Sequence, residues 1–167
     1  PGGWLTSFKG GLLRIIDELE GRYQSHIHIN KPVELISKDA DTFTIRLADN
    51  TVVNAPQLIL AVPSNKAAQM TGGISSELAK TLAAIQYAPI AVVCFGYDAR
   101  NVRATLDGFG FLVPSKENKR ILGSIWTSSI FADRAPVGKV QFRSMVGGDG
   151  DQESAMLSDE QLVSLVK

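Results

Sequence analysis

His26 and His28 stand two residues apart, a spacing that on a strand puts both imidazoles on one face and that some metal sites use. A metal centre needs three or four ligands, and no third one lies near them in the sequence, so the pair reads as solvent-facing beside Ile27 and Ile29. The acidic turn Asp149-Gly150-Asp151-Gln152-Glu153 has the composition of a calcium loop. Its glycine is misplaced and no bidentate acid closes it at the required offset, which leaves a solvated turn. Hydrolysis by an activated serine has no support either, since G-x-S-x-G is absent and both histidines lie on one segment. Gly108-Phe109-Gly110 is the nearest approach to a phosphate-binding loop, but it lacks a third glycine and leads into a strand pattern, so it reads as the entry to a hairpin. From these residues alone, neither a catalytic constellation nor a metal site emerges.

The elements that would position such groups can be read from periodicity. Leu12, Ile15, Ile16 and Leu19 recur at helical spacing after Gly10-Gly11, which predicts an amphipathic helix over 11–20 that Gly21 ends. Alternation through Ile27 and Ile29, a short strand over 33–37, and a hairpin of 43–47 and 51–54 around Ala48-Asp49-Asn50 follow. Leu58-Ile59-Leu60-Ala61-Val62 is uniformly apolar and closed by Pro63, the pattern of a strand covered on both faces in a parallel sheet. Ser64 is placed to cap a short helix through Met70, Gly72-Gly73 breaks it, and a second helix starts at Ser75 or Ser76 with Leu78, Leu82 and Ile85 on one face. Strands over 88–97, 109–113, 121–127 and 140–146 predict a four-stranded antiparallel sheet, and Ser158 with Gln161 forms a capping box for a last helix. The expected fold class is α+β, an antiparallel sheet with helices joined to a fragment of an α/β domain.

Composition narrows the function classes. With 44% hydrophobic and 20% charged residues and a formal net charge of +0, the 167-residue chain describes a globular protein and offers nucleic acid no basic stripe. The longest apolar runs fall far short of the roughly 20 residues of a membrane span. The single cysteine, Cys94, lies within Ile90-Ala91-Val92-Val93-Cys94-Phe95 and reads as a small buried hydrophobe in a reducing, cytoplasmic compartment. Pro1-Gly2 at the start, and a last helix that stops at Lys167, suggest an internal piece of a longer chain.

A further signal lies in spaced motifs. Gly108-Phe109-Gly110-Phe111-Leu112-Val113-Pro114, Leu122-Gly123-Ser124-Ile125-Trp126, Phe131-Ala132-Asp133-Arg134-Ala135-Pro136 and Gly147-Gly148 resemble, in order and spacing, the matching stretch of the oxygen-dependent protoporphyrinogen oxidases. Phe8-Lys9-Gly10-Gly11-Leu12, Pro32-Val33 and Leu58 through Pro63 resemble the wider amine-oxidase-type flavoprotein family to which those oxidases belong. The resemblance implies an FAD enzyme that oxidises a porphyrinogen, with dioxygen reoxidising the flavin, in porphyrin and haem biosynthesis. It implies that 1–63 carries partial flavin-domain elements and 64–167 part of the substrate-binding domain. It implies backbone contact between Val33 and the FAD adenine, and a porphyrinogen pocket walled by Phe109, Leu112, Ile125 and Met145. The family's G-x-G-x-x-G segment and its second FAD-contacting segment have no counterpart here, so no FAD is expected on this chain alone, which would be inactive and prone to self-association without its missing N- and C-terminal partners. The same missing N-terminal part is where the family's propionate-pairing basic group is expected. A parent peripheral to a membrane is compatible with this reading. Coproporphyrinogen oxidation within the same family and a non-enzymatic module for a hydrophobic ligand are the alternatives.

Overall fold

The computed structural model describes residues 5–167. They form two compact units, one of Ala88–Lys167 with the N-terminal stretch through Glu18, the other of Leu19–Tyr87. The sequence suggested a boundary at 63/64. The helix that follows Pro63 packs within the Leu19–Tyr87 unit.

In the Leu19–Tyr87 unit, β1 (Val33–Asp39), β2 (Thr42–Leu47) and β3 (Val52–Ala55) form an antiparallel meander. The β2–β3 turn is the one expected. Asn50 takes φ 65°, and the Asp49 carboxylate accepts from the Thr51 N–H at 3.0 Å and from Lys31 Nζ at 2.5 Å. Register places Ile36 opposite Ile45, and both are buried, Ile36 completely. Helix α2 (Ser64–Thr71) covers them with Ala67 and Thr71, whose hydroxyl donates to the Ala67 carbonyl at 2.9 Å. Helix α3 (Ser76–Ala83) packs on α2 and is capped by Ser75, whose side chain accepts from the Leu78 N–H at 3.2 Å.

Several local expectations are corrected here. Helix α1 (Leu13–Tyr23) runs through Gly21, because that glycine does not adopt the left-handed turn that would stop it, and a 3-10 turn at Gln24–His26 ends it instead. That turn keeps His26 off any strand, and both histidines are exposed. Ser64 is the first helical residue, not the cap, and its backbone N–H donates to the Tyr87 hydroxyl at 2.8 Å. Leu58–Val62 forms no ladder among the described residues, and Ile59 is 91% exposed. An apolar run becomes a buried parallel strand only where neighbouring strands supply its hydrogen bonds, and none lie beside it here.

In the other unit, β4 (Ile90–Asp98), β5 (Gly110–Leu112), β6 (Ile121–Ile125) and β7 (Lys139–Gly147) form the expected antiparallel sheet, in the order β4-β7-β6-β5. The last strand of the sheet is thus inserted between the first and the third. Two short helices complete the unit, α4 (Thr127–Ile130) after β6 and α5 (Asp159–Val166) at the end, the latter with the expected Ser158/Gln161 capping box. The fold is α+β.

Candidate functional site

Strand alternation and register define two different faces on the four-stranded sheet. On one face Val93, Ser144, Ser124 and Phe111 form a row across the strands, with Phe95 and Phe142 paired beside it. Val93 and Val146 are buried here, and the buried Ser144 hydroxyl donates to the Ser124 hydroxyl at 3.0 Å. Tyr97 meets Phe142 edge to face at 5.7 Å and Phe95 at 5.9 Å. Phe95, Tyr97, Phe111, Trp126, Phe142 and Val166 of α5 line a cavity of about 320 Å³.

The opposite face is open. Leu112, Gly123, Met145 and Val92 make one row across all four strands, and Gly110, Ile125, Arg143 and Cys94 make the next. At ~4.8 Å between strands, a four-residue row is about 14 Å long, wide enough for a flat macrocycle. Leu112 is 81% exposed, Ile125 and Val92 are exposed, and Met145 is half-buried. Gly123 has no side chain between Leu112 and Met145, so the floor is recessed at its centre. Three of the four residues expected to wall a pocket, Leu112, Ile125 and Met145, are therefore brought onto one face. Phe109 sits just before β5, exposed, with its carbonyl accepting from the Trp126 N–H at 2.9 Å. Cys94 is exposed, not buried as expected, because alternation from the buried Val93 turns it to the open face.

The carboxylates displaced furthest lie in surface turns. Hydrogen bonding from Lys31 holds Asp49 well below the usual carboxylate range, and Arg120, which meets Asp151 at 3.0 and 3.3 Å, lowers Asp151 to about 2 with help from Ser154. Among the described residues no group of three or more His, Cys, Asp or Glu is placed to hold a metal. Arg143, Val92 and Ile90 were not singled out in the sequence. Counting by twos back from Met145 finds Arg143, while Ile90 and Val92 need the strand order, which the sequence does not show.

In a dinucleotide-binding βαβ unit the pyrophosphate of FAD sits where a strand leads through a glycine turn into a helix. Gly10-Gly11 is the glycine turn that opens a helix here, and the described residues before it are irregular, with no strand feeding the turn. Val33 begins β1, half-buried and paired with Leu47. It lies in the Leu19–Tyr87 unit.

The four-stranded antiparallel sheet thus presents one face lined by the aromatic cavity and one open, largely apolar face. The chain belongs to the flavin containing amine oxidoreductase family, whose model matches residues 2–167. It is 27% identical over 175 residues to a chloroplastic protoporphyrinogen oxidase of Oryza sativa subsp. japonica, covering 99% of this chain and 33% of the relative. It is 25% identical over 167 residues to a coproporphyrinogen III oxidase of Bacillus subtilis strain 168, covering 98% of this chain and 35% of the relative. A crystal structure of an Exiguobacterium sp. 255-15 protein, which carries the provisional name protoporphyrinogen oxidase, superposes with a TM-score of 0.79 at 21% identity, covering 96% of this chain and 34% of that one. The chain thus spans about a third of the length of these proteins, and its fold is a part of the amine oxidase fold. No described helix is long and apolar enough to cross a membrane.

Proposed function

We propose that this chain is the middle part of an FAD-dependent porphyrinogen oxidase and supplies the sheet against which the macrocycle lies. The observation that supports this best is the register that sets Leu112, Ile125 and Met145 on one open apolar face about 14 Å across. A large apolar macrocycle needs flat hydrophobic walls and orientation, and the electron acceptor belongs to the cofactor. Residues 1–63 would then contribute to the flavin-binding part, with the Val33 backbone at the adenine, and 64–167 to the substrate part. Phe109, exposed just before β5, would contribute to the wall from outside the strand. In the parent protein FAD would supply the electron acceptor, while the sheet residues Leu112, Ile125 and Met145 would orient the macrocycle.

Protoporphyrinogen and coproporphyrinogen are both admitted by such a wall, and relatives of both kinds resemble this chain. A non-enzymatic reading draws support from the aromatic cavity of about 320 Å³ on the other face, which suits a small apolar ligand. The two readings separate in the full-length protein. The oxidase reading expects a flavin spectrum and aerobic conversion of a porphyrinogen to its fluorescent porphyrin. Leu112→Arg or Met145→Arg should reduce that conversion at least tenfold with flavin retained, because a charge replaces an apolar wall. Normal turnover in both variants would remove the assignment of this face, and a full-length protein without flavin would favour the binding module.

A further inference from the structure

The open face carries three charged side chains, and two of them satisfy each other. Asp98 and Lys139 are register partners at its far end and pair at 2.7 Å. Arg143 is the third. It stands between Ile125 and Cys94 across the sheet, with Met145 two residues along its own strand. It is exposed, and among the described residues it has neither a carboxylate partner nor a side-chain hydrogen bond. A guanidinium is a rigid, permanently charged fork suited to bidentate recognition of a carboxylate. One held in an apolar wall, where a ligand would exclude water, must find its counter-charge on that ligand.

Resting on the porphyrinogen reading above, we propose that Arg143 is a specificity-determining residue that anchors a carboxylate of the macrocycle. The ligand complementary to this face is a flat apolar body with a carboxylate at its edge. Its ring would lie over the Leu112, Gly123 and Met145 row, and its acid side chain would reach Arg143 in the next row, ~7 Å along the strand. This places one anionic anchor within the chain itself, so the orientation of the macrocycle is set in part by the same sheet that contacts its apolar surface.

The test uses the full-length, flavin-loaded protein and two probes of one shape, coproporphyrin III with four carboxylates and its tetramethyl ester with none, with binding followed by porphyrin fluorescence. R143Q should weaken the free acid roughly ten- to a hundredfold, the size of a lost charge-assisted pair, and leave the ester within about twofold. R143K, which keeps the charge without the fork, should fall between R143Q and wild type for the acid. Equal weakening of acid and ester, or no change for either, would overturn the proposal while leaving the porphyrinogen reading intact. A wild-type protein that binds neither probe would overturn that reading and this proposal with it. Flavin absorbance, measured in each variant, reports that the fold is retained.

Discussion

At the scale of single residues, Asp151 shows how a charge can serve local structure. It caps the 3-10 turn Gln152–Met156, accepting from the Ser154 N–H at 3.3 Å and from the Ser154 hydroxyl, while Arg120 grips both carboxylate oxygens from across the loop. The acidic sequence Asp149 to Glu153 therefore serves a turn, and the cation that Asp151 holds is a guanidinium. Its acidity follows, since Arg120 first and Ser154 second hold it at about 2. A carboxyl whose folded value lies below its unfolded value of about 3.9 stabilises the fold above that pH, and the stabilisation is lost as pH falls through the folded value. The expectation is a local loss of order around residues 148–156 as pH drops from about 4 to about 2. In Arg120→Gln the Asp151 titration should move up towards the ordinary range. Carbon-detected titration of the side chain measures both, and an unchanged midpoint in the variant would remove Arg120 as the main cause. Legibility at this scale was uneven. Leu112 and Ile125 lie within the spaced motifs and Met145 was named through the resemblance, whereas Arg143 gains meaning only when β7 is seen beside β6.

Elements were more legible than their arrangement. The four long alternating segments and the hairpin around Asp49-Asn50 declared themselves because period-two patterning and turn chemistry are local. The order β4-β7-β6-β5 is set by non-local pairing, and nothing in residues 139–147 announces that they enter the middle of the sheet. Helix α1 overran Gly21 because a glycine weakens a helix by only about 1 kcal/mol and stops it only when it turns left-handed. Gly110 is the opposite case, a glycine that the fold requires. It takes φ +126°, and a Cβ there would lie 1.9 Å from the Ser124 carbonyl oxygen, across the β5–β6 pair. Gly110→Ala must strain the backbone or part those strands, at a cost of at least about 1–3 kcal/mol. The expected outcome is a lowered thermal midpoint together with displaced Leu112 and Phe109 and weakened porphyrin binding. A Gly110→Ala protein of unchanged midpoint would show that β5 tolerates a left-handed alanine, and the close approach would not be the reason for glycine.

At the scale of the whole molecule, the balance of buried and exposed apolar surface is the informative quantity. The chain exposes 12824 Å². A compact protein of 18.0 kDa exposes about 8000 Å², and two separate bodies of half that mass about 9700 Å² together. The excess has identifiable sources. Helix α1 buries none of its residues although Leu13, Ile16 and Leu19 are apolar, Ile59, Leu60 and Val62 are exposed, and the open face of the sheet is uncovered. Surfaces of this kind are covered in a longer protein, which is consistent with relatives about three times the length of this chain. The same surfaces should make the 167-residue chain, purified by itself, elute as a dimer or a soft aggregate. It should also be colourless and unable to oxidise porphyrinogens. Among the described residues no strand feeds Gly10-Gly11, and the one backbone contact proposed at Val33 would not offset the entropy lost when FAD associates. Gel filtration with absorbance at the flavin bands measures both expectations at once. A yellow protein with stoichiometric FAD would show that these residues suffice for the cofactor, and a strictly monomeric elution would show that the exposed apolar surface is tolerated in water.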